Sequence, residues 1–263
     1  LIRLLSYNIR HGLGLDGRIA PERIAAVIGA LAPDIVALQE VDVGRRRTDG
    51  RDQAEVIATA LRMEQHFHPA LHVEGERYGD AILTPHPSRL VRAAALPGHP
   101  RRLGLEPRGA LWVEVTVGGR RLQVFNTHLG LTGGERLAQV AALLGPDWLG
   151  SPACRDPVVL LGDLNATPWS RAYRRLAGRL TDARRLSGER RARSGATFPA
   201  RLPLLRIDHV FVGPGIAVER MGPAGGALAR LASDHRPLLA EIVLAPVAAA
   251  QERQAETGSE VVG

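Results

Sequence analysis

The chain contains no lysine: its 34 Lys+Arg positions are all arginine. Cysteine is almost as scarce, with Cys154 alone. That excludes an intrachain disulfide and a cysteine-built zinc knuckle, and it suits a reducing compartment. Aromatic residues make up 4% of the 263 positions, so a single-strand nucleic-acid binder built on stacked side chains has thin support. No uninterrupted apolar run is long enough to span a bilayer, which excludes a transmembrane helix. The start Leu1-Ile2-Arg3-Leu4-Leu5 runs directly into a strand pattern and leaves no room for a signal peptide within the chain. A cytoplasmic protein is therefore expected, unless a leader was removed ahead of residue 1.

What is present is ordinary globular material, 45% hydrophobic and 23% charged, with a net charge of +7 and a pI near 10.9. Guanidinium groups match phosphate through a bidentate fork, so an arginine-only basic set points toward phosphate-bearing partners, nucleic acid or anionic lipid headgroups. The abundance of alanine, glycine and proline beside arginine is also what a GC-rich coding sequence yields. Charge alone does not choose between these readings.

Periodicity gives a βαβ opening: a strand from Ile2 to Tyr7, a helix from Pro21 to Leu31, a buried strand from Asp34 to Gln39 and a helix near Asp52 to Leu61. Pro21 starts its helix, and Ile24, Val27, Ile28 and Leu31 fall on one face. Successive strands follow at Gln65 to Val73, Asp80 to Thr84, Arg89 to Leu96, Arg108 to Val117 and Arg120 to Thr127, with Gly118-Gly119 as a hairpin turn. Further elements are a helix from Gly134 to Leu144, a strand from Pro157 to Leu161, a short helix near Ser170 to Leu176, and strands at Ile207 to Val212 and Leu238 to Leu244. The pattern implies an α/β (α+β) fold, a four-layered α/β/β/α sandwich of two face-to-face mixed sheets. Residues 1–246 read as one catalytic domain and 247–263 as a disordered tail. Arg184 to Leu205, rich in arginine and weakly periodic, reads as a long basic loop, either functional or a solvated insertion.

Short polar motifs stand at the ends of the strand-like runs, where rigid elements hold reactive groups best. Glu40 in Leu38-Gln39-Glu40-Val41 is a hard oxygen ligand suited to Mg²⁺ or Mn²⁺. Asp163 and Asn165 lie in Gly162-Asp163-Leu164-Asn165, and Asp234 and His235 in Ser233-Asp234-His235-Arg236. Asp208, set between Ile207 and the apolar run Val210-Phe211-Val212, would be half buried and in need of a partner. Taken singly, Asp163 could initiate a turn and Asp234 could cap a loop.

In order along the chain, Ser6-Tyr7-Asn8, Leu38-Gln39-Glu40-Val41, Asn126-Thr127-His128-Leu129, Gly162-Asp163-Leu164-Asn165, Arg206-Ile207-Asp208-His209 and Ser233-Asp234-His235-Arg236-Pro237 resemble the signature of the endonuclease/exonuclease/phosphatase superfamily, whose fold is that of deoxyribonuclease I. The superfamily includes pancreatic-type deoxyribonucleases, abasic-site endonucleases, neutral sphingomyelinases and inositol-polyphosphate phosphatases. The resemblance implies a divalent-metal-dependent phosphoester hydrolase, foremost a phosphodiesterase or nuclease acting by in-line water attack. A lipid or small-molecule phosphodiesterase or phosphatase is the nearest alternative, and a non-catalytic module of the same fold a distant one.

Carried onto this chain, the resemblance makes Glu40 the direct metal ligand, Asn8 a neighbouring metal ligand or phosphate contact, Asp234 a metal ligand directly or through water, and Asp163 the group that aligns or deprotonates water. Asn165 would hold water and phosphate in register, His128 would contact the scissile phosphate or assist the leaving group, and Asp208 would orient His235. Tyr78 and Arg46 are candidate contacts to substrate phosphate. Arg46 belongs to Arg45-Arg46-Arg47, which reads equally as a solvated charge run. Asp80 stands where relatives often carry asparagine. Arg10 replaces an acid found in some repair members, and Val41-Asp42 departs from the abasic-site branch. His66, His68 and His72 share one face of a strand but read as ordinary strand histidines, there being no acid or cysteine beside them.

Overall fold

Two mixed six-stranded sheets lie face to face in the computed structural model, which describes residues 1–155, 157–188 and 195–245. The first half is built by β1 (Ile2–Asn8), α1 (Pro21–Leu31), β2 (Ile35–Val43), α2 (Gln53–Leu61), β3 (Glu64–Val73) and β4 (Glu76–Thr84). The second half runs through β5 (Ser88–Ala95), β6 (Gly109–Val117), β7 (Arg120–His128), α3 (Gly133–Leu143), β8 (Val158–Asp163), α4 (Arg171–Leu176), β9 (Thr181–Asp182), α5 (Ala183–Leu186) and β10 (Asp208–Val212). β11 (Ile216–Pro223), α6 (Ala227–Ala232) and β12 (Leu238–Leu244) then return to the first sheet. Strand orders are β11-β12-β1-β2-β4-β3 and β5-β6-β7-β8-β10-β9.

Each sheet holds one parallel pair at its centre, β1 with β2 and β7 with β8; the other pairings are antiparallel. A parallel pair needs a crossover of helical length, and α1 and α3 supply it. α1 begins on Pro21, whose missing N–H costs nothing there, and ends on left-handed Ala32. Its buried residues Ile24, Val27 and Ile28 pack with Leu5, Tyr7, Val36, Leu38 and Ile57. Full burial of such a side chain contributes roughly 1.5–3 kcal/mol. Leu4, Ile35, Ala37, Leu111, Val113 and Leu161 fill the space between the sheets, while Phe125, Leu143, Leu160 and Leu176 pack in the layer under α3 and α4. Three apolar layers between four structural ones make the expected α/β/β/α sandwich.

The expected hairpin forms at Gly118-Gly119, both with positive φ, between Val117 and Arg120. β11 and α6 had no clear signal, because the alternation of Ile216, Val218 and Met221 is broken by a bulge between Val218 and Arg220, and α6 is a six-residue segment. The basic loop is only partly a loop: α5 opens it, and Phe198 bridges Leu205 near its end. Arg190, Arg191 and Arg193 of that loop, and the tail 247–263, lie outside the described residues. No helix among the described residues is long and apolar enough to cross a membrane.

Candidate active site

The carboxyl ends of both parallel pairs point to the same end of the sandwich. Asn8 closes β1, His128 closes β7 and Asp163 closes β8. The antiparallel neighbours deliver their amino ends there, so Asp208 opens β10 and His235 precedes β12. Backbone detail aims the groups. A bulge between Leu38 and Val41 sets Glu40 in the left-handed region at φ 59° and turns it out of the β2 ladder. Gly162 must be glycine, since a Cβ there would lie 1.9 Å from the Thr127 carbonyl oxygen.

The two sheets answer each other residue for residue. Asn8 Nδ2 donates to Glu40 Oε1 at 2.9 Å within its own sheet and to Asp163 Oδ2 at 3.0 Å in the other. His235 Nδ1 lies 2.9 Å from Asp208 Oδ2, and its Nε2 is 3.6 Å from Asp163 Oδ2. Beneath them Gln39 Nε2 donates to Asn126 Oδ1 at 2.8 Å, and Asn126 Nδ2 donates to the carbonyls of Leu38 and Ala81, each at 2.8 Å. Asp163, Asp208 and His235 place ligand-type atoms within 4.8 Å of one another, all buried. Asn165, at φ 47°, donates its backbone N–H to Asp163 Oδ1 at 2.8 Å and its amide to the Leu129 carbonyl at 2.9 Å.

His128 has a partner that sequence reasoning missed. Arg108 is 6% exposed, and its Nη1 lies 3.0 Å from His128 Nδ1. A guanidinium and an amide NH₂ only donate, so both ring nitrogens face donors, Nδ1 that of Arg108 and Nε2 that of Asn165 at 3.0 Å, and the imidazolium is disfavoured. Nε2 also lies 3.6 Å from Asp163 Oδ2. Burial first and Arg108 next hold the His128 pKa well below the ordinary value. Arg108 stands at a strand edge after Pro107, a place with no signature to separate it from other arginines. Asp80 accepts from the His128 backbone N–H; burial pushes its pKa up to about 8, with Arg108 opposing.

The charges of the cluster are strongly coupled to burial. Desolvation raises the Glu40 pKa, with the Asn8 hydrogen bond offsetting part of it. Burial, followed by the Asp208 charge, lifts Asp163 to about 7. Burial alone would suppress the His235 cation, but Asp208, Asp163 and Asp234 together outweigh it and bring its pKa to about 10.

Other expected site residues fall around this core. Asp234 sits on the open side, 3.5 Å from Arg10 Nε, so Arg10 neutralises an acid of the mouth. Tyr78 is buried beside Glu40, with the Arg47 guanidinium 5.3 Å over its ring and its phenol pKa raised by burial. Arg46 is not brought to the cluster: its side chain is 91% exposed and faces Glu76 at 3.6 Å, while Arg47 is held by buried Asp42 at 2.6 and 2.8 Å. His66 pairs with Ser88 at 2.8 Å, apart from the site. The end of the basic loop is clamped onto it. Phe198 packs 4.8 Å from the His235 ring, Thr197 Oγ1 donates to Asp208, and Ala200 N donates to the Asp234 carbonyl at 2.6 Å.

Comparison with known proteins agrees with this picture. The sequence model of the Endonuclease/Exonuclease/phosphatase family matches residues 5–235. The uncharacterized protein YbhP of Escherichia coli K12 is 28% identical over 256 residues, covering 92% of this chain and 96% of its own. An endonuclease/exonuclease/phosphatase from Beutenbergia cavernae superposes with a TM-score of 0.73 at 25% identity, over 93% of this chain and 72% of that one. The mannosyl-6-phosphatase of Bacteroides thetaiotaomicron does so with a TM-score of 0.72 at 22% identity, over 93% and 100%; at that identity the likeness shows the fold alone.

Proposed function

Since the chain belongs to the endonuclease/exonuclease/phosphatase family, a family of phosphoester hydrolases, we propose that it is a divalent-metal-dependent phosphoester hydrolase acting foremost on phosphodiesters. The observation that carries this reading is the single nitrogen, Asn8 Nδ2, on which the carboxylates of Glu40 and Asp163 converge. Two desolvated carboxylates in one place, with Asp208 and Asp234 close by, fit a hard divalent cation better than any protein group present. The donor set is oxygen-rich and free of thiolate, as Mg²⁺ or Mn²⁺ prefers. Glu40, Asn8 and Asp234 would hold the ion, which when bound supplies charge neutralisation for phosphoryl oxygens.

The chain's own residues perform the remaining work. Asp163, poised near pH 7, accepts the proton of the attacking water as its oxygen bonds to phosphorus, while the bond from phosphorus to the ester oxygen breaks and that oxygen leaves as an alcohol with a proton taken from solvent. The His235 cation, held by Asp208, faces the phosphate with Nε2–H and stabilises the charge gathering on its oxygens. His128 remains neutral beside the phosphate, between Arg108 and Asn165, while Asn165 keeps the water and phosphate in line. Tyr78 borders the same space. The test is hydrolysis of a panel comprising DNA, RNA, sphingomyelin, an inositol polyphosphate and a chromogenic phosphodiester, with Mg²⁺ or Mn²⁺ and with chelator. Metal-dependent cleavage, abolished by Glu40→Ala and by His235→Ala in folded protein, is expected. Full activity in either variant would sink the assignment.

A further inference from the structure

The catalytic groups are buried, yet the connections around them end in large apolar side chains that face water. Leu131 follows β7 and His128, and Trp169 follows β8 and Asn165. Leu103 lies in the β5–β6 connection that ends at Arg108, and Leu202 and Leu204 lie in the segment that leads to Asp208. Their exposures are 71%, 85%, 101%, 67% and 70%. A single exposed leucine is ordinary, but protruding apolar tips on separate connections around one mouth mark a binding surface.

Arginines flank the same tips. Arg101 and Arg102 precede Leu103, Arg171 follows Trp169, and Arg201 precedes Leu202; all are exposed and without an acidic partner among the described residues. A cleft of about 350 Å³ between the starts of α3 and α4 is lined by Arg136, Arg171 and Leu137.

We propose that this end of the sandwich docks on an anionic phospholipid surface. The leucine and tryptophan tips enter the boundary between headgroups and acyl chains, the flanking arginines meet lipid phosphates, and the catalytic mouth is presented to the headgroups. Action on a headgroup phosphoester rests on the hydrolase reading above; the docking does not. A nucleic acid is the poorer fit because leucines cannot stack on bases, which leaves Trp169 alone for that task. A protein partner fits less well because the tips are separated by cations and by a polar mouth, where a protein interface would have a contiguous apolar centre. A lipid surface admits each tip independently and bears diffuse negative charge.

The tryptophans provide the readout. Trp112 and Trp148 are buried at 2% and 3% exposure, so a change in fluorescence on docking reports Trp169. Vesicles of phosphatidylcholine mixed with phosphatidylglycerol should shift the emission to the blue and protect it from iodide, and vesicles of phosphatidylcholine alone should do so weakly. Leu103→Ser and Leu131→Ser should each lower partitioning roughly tenfold, as loss of a buried leucine implies. Arg101→Gln and Arg171→Gln should each lower it about fivefold. All of these variants should cleave a water-soluble chromogenic phosphodiester at the wild-type rate.

Absence of both blue shift and co-sedimentation with the anionic vesicles overturns the proposal, as does a response to single-stranded DNA but not to vesicles. Glu40→Ala separates the two readings. Vesicle binding without hydrolysis in the wild type removes the hydrolase assignment and leaves docking standing, whereas hydrolysis of the soluble ester without vesicle binding removes docking alone.

Discussion

Asp208→Asn tests the electrostatics of the site most directly, because it removes one charge and almost nothing else. Asp208 Oδ2 accepts from His235 Nδ1 at 2.9 Å and from Thr197 Oγ1, and an asparagine oxygen can accept from both. What disappears is the counter-charge that outweighs burial at His235. The pKa of His235 lies above its ordinary 6.5, at about 10, so the folded state binds its proton more tightly than the unfolded chain does. Its contribution to stability is therefore fully present below pH 6.5 and is lost as pH rises through 10.

At about 1.4 kcal/mol per pH unit the full effect is bounded by roughly 5 kcal/mol. Because the hydrogen bonds survive in the amide, a loss of ~2–3 kcal/mol at pH 7 is expected. Asp163, raised from 3.8 to about 7, and Asp80, raised from 3.8 to about 8, also make stability fall with rising pH, but mostly below pH 8, so the range from 8 to 10 isolates His235. Urea denaturation at closely spaced pH values over that range should show wild-type stability declining and a nearly flat line for the variant. The hydrolytic rate of the variant at pH 8 should fall as well, since the His235 ring that faces the phosphate is then no longer a cation. A variant that keeps the wild-type slope between pH 8 and 10 would refute the reasoning.

Arg108→Met should lower kcat about 10–100-fold, the usual effect of removing a partner that orients a site residue. It should also raise the His128 pKa, visible in ¹⁵N shifts of the imidazole followed against pH; an unchanged titration would show that Arg108 does not hold it down. Glu40→Gln should abolish Mn²⁺ binding measured by calorimetry while leaving metal-free stability equal or slightly higher, because a carboxylate desolvated enough to have a raised pKa is costly to keep ionised. Arg206→Met should destabilise the fold by about 3–5 kcal/mol in chemical denaturation, since it strands buried Asp182, whose carboxylate lies 2.7 Å from Arg206 Nη1.

The strand-end motifs and the βαβ opening were legible because both depend on local pattern. Apolar residues at helical spacing required α1 to cover a sheet, and the run Ile35-Val36-Ala37-Leu38 could only be a buried strand. Asp208 was legible through its discomfort, an acid among apolar neighbours that demands a partner. Arg108 was not, because its role depends on which histidine ends the adjacent strand, and β6 and β7 meet in register only after the hairpin closes. Arg46 erred in the other direction: proximity in sequence to Glu40 suggested a phosphate contact, but the 3₁₀ turn at Arg46–Thr48 leaves that side chain in solvent and turns Arg47 toward Asp42. The clamp of Phe198 and Thr197 on the site likewise depends on tertiary contacts that composition could not reveal.

The absence of an internal repeat in the sequence conceals a correspondence in the structure. Reading the sheets outward from their parallel pairs, β12, β1, β2 and β4 face β10, β8, β7 and β6, and three of the facing pairs contribute a hydrogen-bonded polar couple at the site end, His235 with Asp208, Asn8 with Asp163 and Gln39 with Asn126, while Asp80 feels the charge of Arg108 in the fourth. These couples join two sheets that touch mainly through apolar side chains free to slide by small steps. Apolar packing fills the space but is non-directional, whereas a 2.8 Å hydrogen bond such as that from Gln39 to Asn126 tolerates little displacement. The buried polar couples therefore fix the relative position of the sheets at the same end where Asn8 must reach both Glu40 and Asp163. Precision in the site comes from the cross-sheet couples, and stability comes from the apolar layers.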